Sequence, residues 1–277
     1  MINKYVEEYI DYLHVDKNLS ANTIMSYNRD LKIFFEYLAR SGIKDPEEVA
    51  QSELIGYLKE MRVLKKSNAT ILRYIATIKS YYSYLIDTNI CSENPASDID
   101  TPKVEKKPVA TIEENNMLKI IDTPDKNTVK GKRDRAILAT LYYSGVRVSE
   151  LIGLTTGQYD SQSGIITISG KSIRKVRISD LCADSLNDYL LNARPLIVTN
   201  LAEDALFLNM KGTGMTRQGL WKIIKFYCKD IETDCEITPH TFRHSIATNM
   251  LLKGEDINYI KDMLGHADIY STKIYRK

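Results

Sequence analysis

The chain has 277 residues, of which 43% are hydrophobic, 27% charged and 9% aromatic. These fractions are ordinary for a folded globular protein, and they exclude collagen-like, low-complexity and intrinsically disordered classes. The formal net charge of +2 is too small to indicate a binding partner by itself.

Helical periodicity dominates the first hundred residues. Polar side chains that can cap a helix, at Ser20 or Asn22 and again at Ser67, precede two long stretches with apolar residues at helical spacing. Between them, Asp45-Pro46-Glu47-Glu48 is a helix-start signature, with a proline after the cap and acids in the first turn. We therefore predict a four-helix N-terminal domain over residues 1–91.

A second domain follows a break in this pattern. Residues 92–110 contain three prolines and no periodicity, and predict a linker. Residues 111–114 (TIEE) indicate a capping box that opens a second domain over residues 111–277. Within it, the β-branched runs 164–169 and 175–179 predict a hairpin among helices. The predicted fold class is multi-domain, α and α+β, with a mainly helical second domain that carries a small antiparallel sheet.

Charge is distributed unevenly along the chain. Residues 1–56 carry six Lys/Arg against ten Asp/Glu, whereas residues 57–84 carry six against one. Residues 205–229 carry five Lys/Arg and no acid. Local basic faces of this kind suit the phosphate backbone of a nucleic acid. Each one, taken singly, is equally consistent with a solvated helix face.

Neither the cysteines nor the N-terminus indicates secretion. Cys91, Cys182, Cys228 and Cys235 form no CxxC pair, so reduced, structural thiols are expected. The N-terminal segment is acidic and amphipathic, which does not fit a signal peptide. The longest apolar runs are far shorter than the ~20 residues of a membrane span. We therefore expect a cytoplasmic protein that does not enter a membrane.

Histidines are concentrated near the C-terminus. Three of the four, His240, His244 and His266, lie in the last 38 residues, close to Arg243 and Tyr275. The spacing of His240 and His244 could serve a metal site of the HExxH kind. Here, however, the sequence HTFRH lacks the glutamate and places a guanidinium between the two imidazoles. We therefore predict no metal site and no cofactor.

The same residue types favour anion chemistry instead. Arginines with neutral histidines and a lysine offer a donor-rich pocket for a phosphate, and can stabilise the charge of a phosphoryl-transfer transition state. A tyrosine hydroxyl can act as a nucleophile, and a lysine on a hairpin can protonate a leaving alkoxide. Because the sequence has neither GxxxxGK[ST] nor GxGxxG, this chemistry would need no bound nucleotide.

Six positions in a fixed order connect these residues to a known family. They are Arg147 in residues 144–151 (SGVRVSEL), Lys171 after a glycine in the predicted hairpin, His240 and Arg243 in residues 239–244 (PHTFRH), His266 in residues 264–266 (LGH), and Tyr275 nine residues later. This set resembles the tyrosine site-specific recombinases, also called the phage integrase family. The N-terminal pattern from residue 19 to 38 is similar to that family's helical, SAM-like core-binding domain. In its size, and in the lack of an extra N-terminal arm-binding segment, the sequence is most similar to the Xer-type members.

The resemblance implies a covalent mechanism. Tyr275 would attack the scissile phosphate, leaving a 3′-phosphotyrosyl link and a free 5′-hydroxyl. His240 would be the proton acceptor from Tyr275, and Lys171 would protonate the leaving 5′-oxygen. His244 is expected to be a core or supporting residue rather than a direct participant.

The resemblance also implies a phosphate-binding set. Arg147 and Arg243 would hold the non-bridging oxygens, and His240 and His266 would hydrogen-bond the phosphate. Glu150, three residues after Arg147, would orient that arginine. Because one phosphate ester replaces another, rejoining would need no ATP.

The implied partners are double-stranded DNA, gripped between the two domains, and further recombinase protomers in a homo- or hetero-tetramer on paired sites. An accessory translocase or directionality factor is a further candidate partner. Candidate DNA-contacting cations are Lys65, Lys66, Arg73, Lys79, Arg174, Arg217 and Lys222. Members of the family usually continue past the tyrosine with a segment that packs onto a neighbouring protomer, whereas this sequence has two residues after Tyr275. Two alternatives stay open at this point, namely a type IB topoisomerase and a non-catalytic DNA-binding protein derived from an integrase.

Overall fold

The computed structural model describes residues 2–103, 109–170, 173–231, 233 and 236–275. The chain forms two compact units, Met1–Lys106 and Lys107–Lys277, and each has its own apolar core. Within the described residues, no helix combines the length and the apolar character that crossing a membrane requires.

The first unit is helical, as its periodicity predicts. Its helices are α1 (Ile2–Val15), α2 (Ala21–Arg40), α3 (Gln51–Val63) and α4 (Asn68–Asp87). The predicted caps of α2 and α4 are confirmed, because Ser20 accepts a hydrogen bond from the backbone N–H of Thr23 and Ser67 accepts one from Thr70. These bonds satisfy N–H groups of the first turn that have no partner inside the helix.

The predicted start of the third helix was too early. Pro46–Glu48 forms only a short 3-10 turn, and α3 begins at Gln51. The hydroxyl of Tyr82 donates to the carbonyl of Pro46 at 3.1 Å, which ties the turn to α4. The side chain of Glu53 accepts from the backbone N–H of Ala50 at 3.1 Å, so the helix starts at this second position instead.

Part of the predicted linker packs against the first unit. Ala96 is fully buried in that unit's core. The ammonium group of Lys79 donates to the carbonyl of Ser97 at 3.0 Å, and the amide of Asn94 donates to the carbonyl of Lys79 at the same distance. The boundaries 1–91, 92–110 and 111–277 stay a prediction.

The second unit is mainly helical with a small sheet, which confirms the predicted fold class. Its helices are α5 (Glu114–Asp122), α6 (Val129–Tyr143), α7 (Val148–Ile152), α8 (Asp180–Asn192), α9 (Arg194–Ile197), α10 (Arg217–Cys228), α11 (Pro239–Leu252), α12 (Ile257–Leu264) and α13 (Tyr270–Lys273). Helix α6 is buried around most of its circumference, with α5, α8 and α11 packed against it. A helix enclosed in this way provides a fixed support for the turn that follows it.

The sheet consists of β1 (Tyr159–Asp160), β2 (Ile165–Ile168) and β3 (Arg174–Arg177), antiparallel in that order. Ile165 pairs with Arg177 and Ile168 pairs with Arg174, so the predicted hairpin is confirmed, whereas β1 was not predicted. The predicted capping box at residues 111–114 is wrong, because no side chain caps α5. The backbone N–H of Ile112 donates instead to Ser245 on α11, at 2.8 Å.

One ion pair joins two helices in the interior of the first unit. The carboxylate of Asp30 on α2 is 1% exposed and accepts hydrogen bonds from Arg73 and Thr77 on α4. The Arg73 side chain is 34% exposed, so its charge is partly withdrawn from water to meet Asp30. Arg73, which the sequence suggested as a DNA contact, therefore has an internal partner.

We expect Arg73→Met to destabilise the first unit, since it leaves a buried carboxylate without its cation. The loss should be about 2 kcal/mol, below the ~3–5 kcal/mol of a fully buried pair because Arg73 is partly exposed. Urea unfolding followed by far-UV circular dichroism measures this loss. Fluorescence of Trp221, the single tryptophan, reports the second unit separately.

Arg40→Met is the matched control. Arg40 pairs with Glu60 in the same unit, but its side chain is 64% exposed, and exposed pairs contribute about 0–1 kcal/mol. Equal effects of the two substitutions would contradict a structural role for the Arg73–Asp30 pair.

Candidate active site

The turn between α6 and α7 places the first arginine of the site. Gly145 has a left-handed backbone with φ +57°, and a Cβ atom there would lie 2.7 Å from Cδ2 of Leu264. Glycine is therefore required both for the turn and for the close approach of α12. Arg147 follows as the N-terminal cap of α7, and its backbone N–H donates to the Glu150 carboxylate at 2.8 Å.

Helix α11 supplies the second arginine and two histidines. Thr238 caps the helix and Pro239 occupies its first turn, which is favourable because proline lacks an N–H there. Arg243 is 4% exposed, and its guanidinium donates to the carbonyls of Gly145 and Leu264. His240 and His244 are one helical turn apart, with ring centroids separated by 6.2 Å.

The end of α12 places the third histidine. Gly265 has φ +66°, its N–H donates to Asp262, and the N–H of His266 donates back to Lys261. This is the hydrogen-bond pattern with which helices commonly end at a left-handed glycine. The turn takes the chain away from the axis of α12, and His266 lies near Arg243 and Arg147.

Three arginines meet successive carbonyls at this helix end. Arg174 on β3 donates to Met263 at 2.8 Å, Arg243 donates to Leu264 at 2.6 Å and Arg147 donates to Gly265 at 3.3 Å. The last carbonyls of a helix have no partner within it and carry partial negative charge, so they attract cations. The helix end therefore holds three guanidinium groups within one small volume.

The carboxylate of Glu150 lies among these cations. Glu150 is 9% exposed and pairs with Arg147 at 2.9 Å and with Arg174 at 2.8 Å. Burial by itself would raise the pKa of Glu150, but the hydrogen bonds from Arg174 and from the Arg147 backbone lower it to about 2. Glu150 is therefore ionised at neutral pH, and it balances only part of the arginine charge.

Arg243 is buried beside the charge of Arg147. Burial, followed by the neighbouring charge of Arg147, lowers the pKa of Arg243 to about 10. Burial and a neighbouring like charge both disfavour the charged form, although the guanidinium keeps its proton at neutral pH. An oxyanion bound beside Arg147 and Arg243 would stabilise their charges, which makes the cluster suitable for a phosphodiester.

Tyr275 lies next to this cluster and is 4% exposed. Its hydroxyl is 2.9 Å from Nδ1 of His244, and its ring stacks with His266 at a centroid separation of 6.3 Å. Burial raises the pKa of Tyr275, although Arg243 and Arg147 act in the opposite direction. The hydroxyl is consequently protonated at neutral pH and in contact with a histidine.

The contacting histidine is not the one that the sequence indicated. We expected His240 at the Tyr275 hydroxyl and His244 in a supporting position, but His240 is exposed and His244 makes the contact. Both histidines are on the same face of α11, so their spacing alone does not distinguish them. The chain segment that follows α12 decides between them, because it places the tyrosine nearer the second.

The remaining histidine is held by a threonine. Nδ1 of His266 is 2.8 Å from the hydroxyl of Thr272, which is fully buried on α13, three residues before Tyr275. Burial, followed by the charges of nearby arginines, lowers the pKa of His266 to about 4. Burial and the neighbouring His240 do the same to His244, also to about 4. Sequence reasoning did not identify Thr272.

The other predicted residues fall into three groups. Lys171 lies outside the described residues. Arg174, with its side chain 10% exposed, is occupied by internal partners rather than facing solvent. The remaining candidate DNA-contacting cations are exposed at the surface: Lys65, Lys66, Lys79, Arg217 and Lys222. Among the described residues, no group of three His, Cys, Asp or Glu side chains is arranged to hold a metal ion.

We expect the imidazoles of His244 and His266 to stay neutral from pH 8 down to about pH 5. Because their folded pKa values of about 4 lie below the ordinary 6.5, their contribution to stability is complete above pH 6.5. It is lost as the pH falls from 6.5 toward 4. Proton NMR titration of the four histidines, assigned with His244→Gln and His266→Gln, measures both pKa values. Titration of either residue near 6.5 would contradict the burial that the structure shows.

Relatives of the chain were found by sequence. Residues 110–277 match the family model described as "Phage integrase family", and residues 6–89 match "Phage integrase, N-terminal SAM-like domain". The chain is 35% identical over 279 residues to tyrosine recombinase XerD of Staphylococcus epidermidis, covering 99% of this chain and 94% of that protein. It is 36% identical over 278 residues to tyrosine recombinase XerD of Listeria monocytogenes, with the same coverage.

Two solved structures are also similar to the chain. XerA recombinase is 26% identical with a TM-score of 0.55, covering 98% of this chain and 93% of that one. The Tn1549 transposon integrase in complex with a circular intermediate DNA is 20% identical with a TM-score of 0.79, covering 99% and 94%, and so shares the fold. Taken with the two matching family models, these relatives show that the chain belongs to the phage integrase family.

Proposed function

We propose that the chain is a site-specific DNA recombinase that cuts and rejoins duplex DNA through a covalent 3′-phosphotyrosyl intermediate. The observation that carries this proposal is the position of Tyr275. Its hydroxyl lies against a neutral histidine and beside two arginines whose charge is only partly balanced. Such a pocket joins a nucleophile to a site for the phosphate that it attacks.

Arg147 and Arg243 are the proposed ligands of the scissile phosphate. In the reaction, negative charge accumulates on the non-bridging oxygens, and paired guanidiniums stabilise that charge more strongly than the charge of the substrate. His266, held by Thr272, is a neutral hydrogen-bonding partner for one of these oxygens. Glu150 orients Arg147 through the bonds described above.

The proton of Tyr275 leaves as its oxygen attacks phosphorus. His244 is proposed as the acceptor, since its Nδ1 lies 2.9 Å from the hydroxyl and its imidazole is neutral at pH 7. His240 is proposed to hydrogen-bond the phosphate from the exposed end of the same helix face. For Lys171, protonation of the leaving 5′-oxygen is proposed from its place in the sequence alone. The ester formed on Tyr275 conserves the energy of the broken phosphodiester, so religation needs no ATP.

Double-stranded DNA is the proposed substrate, and the exposed cations Lys65, Lys66, Lys79, Arg217 and Lys222 are candidates for its backbone contacts. The XerH recombinase, a structural neighbour with a TM-score of 0.75, was solved bound to its difH substrate. From the family resemblance of the sequence, we propose a tetramer of protomers on paired sites in the cytoplasm, with an accessory translocase or directionality factor as a further partner. DNA binding of this kind weakens steeply with salt, because phosphate contacts release counterions.

A recombinase is favoured over the two alternatives. The relatives from Staphylococcus epidermidis and Listeria monocytogenes, which match nearly the whole chain, are named tyrosine recombinase, rather than topoisomerase or regulator. A type IB topoisomerase would relax DNA as a monomer without a synaptic assembly. A non-catalytic binding protein would form no covalent adduct.

Tyr275→Phe should abolish covalent attachment while leaving DNA binding intact, because it removes only the attacking oxygen. A nicked suicide duplex that carries a candidate site, incubated without metal or ATP, measures this on a denaturing gel. The control is the same duplex in a native gel, where both proteins should bind. An adduct with the phenylalanine variant would exclude Tyr275 as the nucleophile.

His244→Ala should slow adduct formation more than His240→Ala does, since His244 is the histidine whose ring nitrogen lies against the Tyr275 hydroxyl. General-base assistance typically contributes about 10²–10⁴-fold, which sets the expected loss for His244→Ala. Single-turnover cleavage at saturating protein concentration compares the two variants. A larger loss for His240→Ala would return the role of proton acceptor to His240.

A further inference from the structure

We propose that Arg174 is a positioning residue, which keeps Arg147 available for the scissile phosphate by sharing the charge of Glu150. This inference rests on the proposed recombinase function. It assigns to the β2–β3 hairpin a task that is separate from carrying Lys171.

Each guanidinium nitrogen of Arg174 donates a hydrogen bond inside the second unit. Its Nη1 and Nη2 donate to Oε1 and Oε2 of Glu150 at 3.0 and 2.8 Å, and its Nε donates to the carbonyl of Met263 at 2.8 Å. This is the bidentate geometry in which a guanidinium binds a carboxylate most specifically. A lysine would keep the charge but would lose the two parallel bonds.

The shared carboxylate connects Arg174 to Arg147. Oε1 of Glu150 also accepts from Nη1 of Arg147 at 2.9 Å, and Oε2 accepts from the Arg147 backbone N–H at 2.8 Å. Because Glu150 has two cationic partners, its single charge neutralises neither of them completely. Without Arg174, Arg147 would be the only cation on a buried carboxylate and would be drawn toward it, away from a bound phosphate.

The packing around Gly265 places Arg174 against this helix end. A Cβ atom at Gly265 would lie 2.9 Å from Nη1 of Arg174 and 3.2 Å from its Cδ and Cζ. The carbonyl of the same glycine accepts from Arg147 at 3.3 Å. The guanidinium of Arg174 therefore joins three elements, β3, α7 and the end of α12, at the place where Arg147 is oriented.

The test compares Arg174→Met and Arg174→Lys with the matched control Arg177→Met. Arg177 is on the same strand and carries the same charge, but it is exposed. We expect Arg174→Met to slow single-turnover cleavage of the suicide duplex by about 10–100-fold with little change in DNA affinity. Arg174→Lys should fall between Arg174→Met and the wild type, and Arg177→Met should match the wild type.

A double-mutant cycle tests the route through Glu150. If Arg174 acts by sharing that charge, Arg174→Met should slow cleavage by less than about 3-fold in a Glu150→Gln background, because the charge of Glu150 is then absent. If the double variant is instead slowed by the product of the two single-variant factors, the proposal is overturned. The double variant also removes the unpaired buried carboxylate, so it should fold even if Arg174→Met alone is unstable. Urea unfolding followed by Trp221 fluorescence measures the stability of the single and double variants.

A substrate with a 5′-bridging sulfur separates this role from support of Lys171. A thiolate leaves without needing a proton, so a defect in the general acid disappears with this substrate. We expect Arg174→Met to slow cleavage of this substrate as well, because the substitution affects the position of Arg147 at the phosphate and not the protonation of the leaving group. Loss of this effect would overturn the proposal. Failure of the wild type to form any adduct would overturn the proposed function and this inference with it. A wild-type adduct together with equal rates for Arg174→Met and Arg177→Met would overturn this inference alone.

Discussion

The carboxyl end of α12 gathers the positive charge of the candidate active site. Carbonyls of Met263, Leu264 and Gly265 each accept a hydrogen bond from an arginine, and the three arginines come from separate elements. Free carbonyls at a helix end provide partial negative charge without ionisable groups. The carbonyls can therefore bring guanidiniums together, and most of the guanidinium charge stays available for an anion. A carboxylate on each arginine would have cancelled that charge.

Two left-handed glycines make this arrangement possible. Gly145 lets the α6–α7 turn approach Leu264, and its carbonyl accepts from Arg243. Gly265 ends α12, and His266 follows it near Arg243 and Arg147. A side chain at either glycine would strain the backbone and would meet a neighbouring group, Leu264 or Arg174. The sequence motifs around these glycines thus specify backbone turns as well as the functional side chains beside them.

The parts of the structure that depend on local chemistry could be predicted from the sequence. Ser20 and Ser67 cap helices because a hydroxyl is within reach of N–H groups three residues later. The hairpin β2–β3 follows from β-branched residues on both sides of a turn. The six ordered positions indicated the family, and five of them lie within the described residues. The capping box at residues 111–114 does not form: α5 begins at Glu114, and the backbone N–H of Ile112 is bonded to Ser245, 133 residues away in sequence.

The parts that depend on distant partners could not be predicted. The sequence offers Arg73 and Arg174 as candidate DNA-contacting cations, but each pairs with a carboxylate that is 43 or 24 residues away in sequence. Neither pairing leaves a periodic signal. The choice between His240 and His244 likewise depends on where a segment 31 residues further on places the Tyr275 hydroxyl. For such residues the sequence indicates the chemistry of the site, while tertiary packing assigns the partner.

The central claim is that Tyr275 attacks a phosphate held by the arginine cluster, and mass spectrometry of the covalent adduct tests it most directly. The wild-type adduct would be digested with nuclease and protease, and the modified peptide sequenced. The account predicts a nucleotide joined through its 3′-phosphate to Tyr275, with a free 5′-hydroxyl on the released strand. A nucleotide on any other of the 18 tyrosines, or a 5′-phosphate linkage, would contradict it.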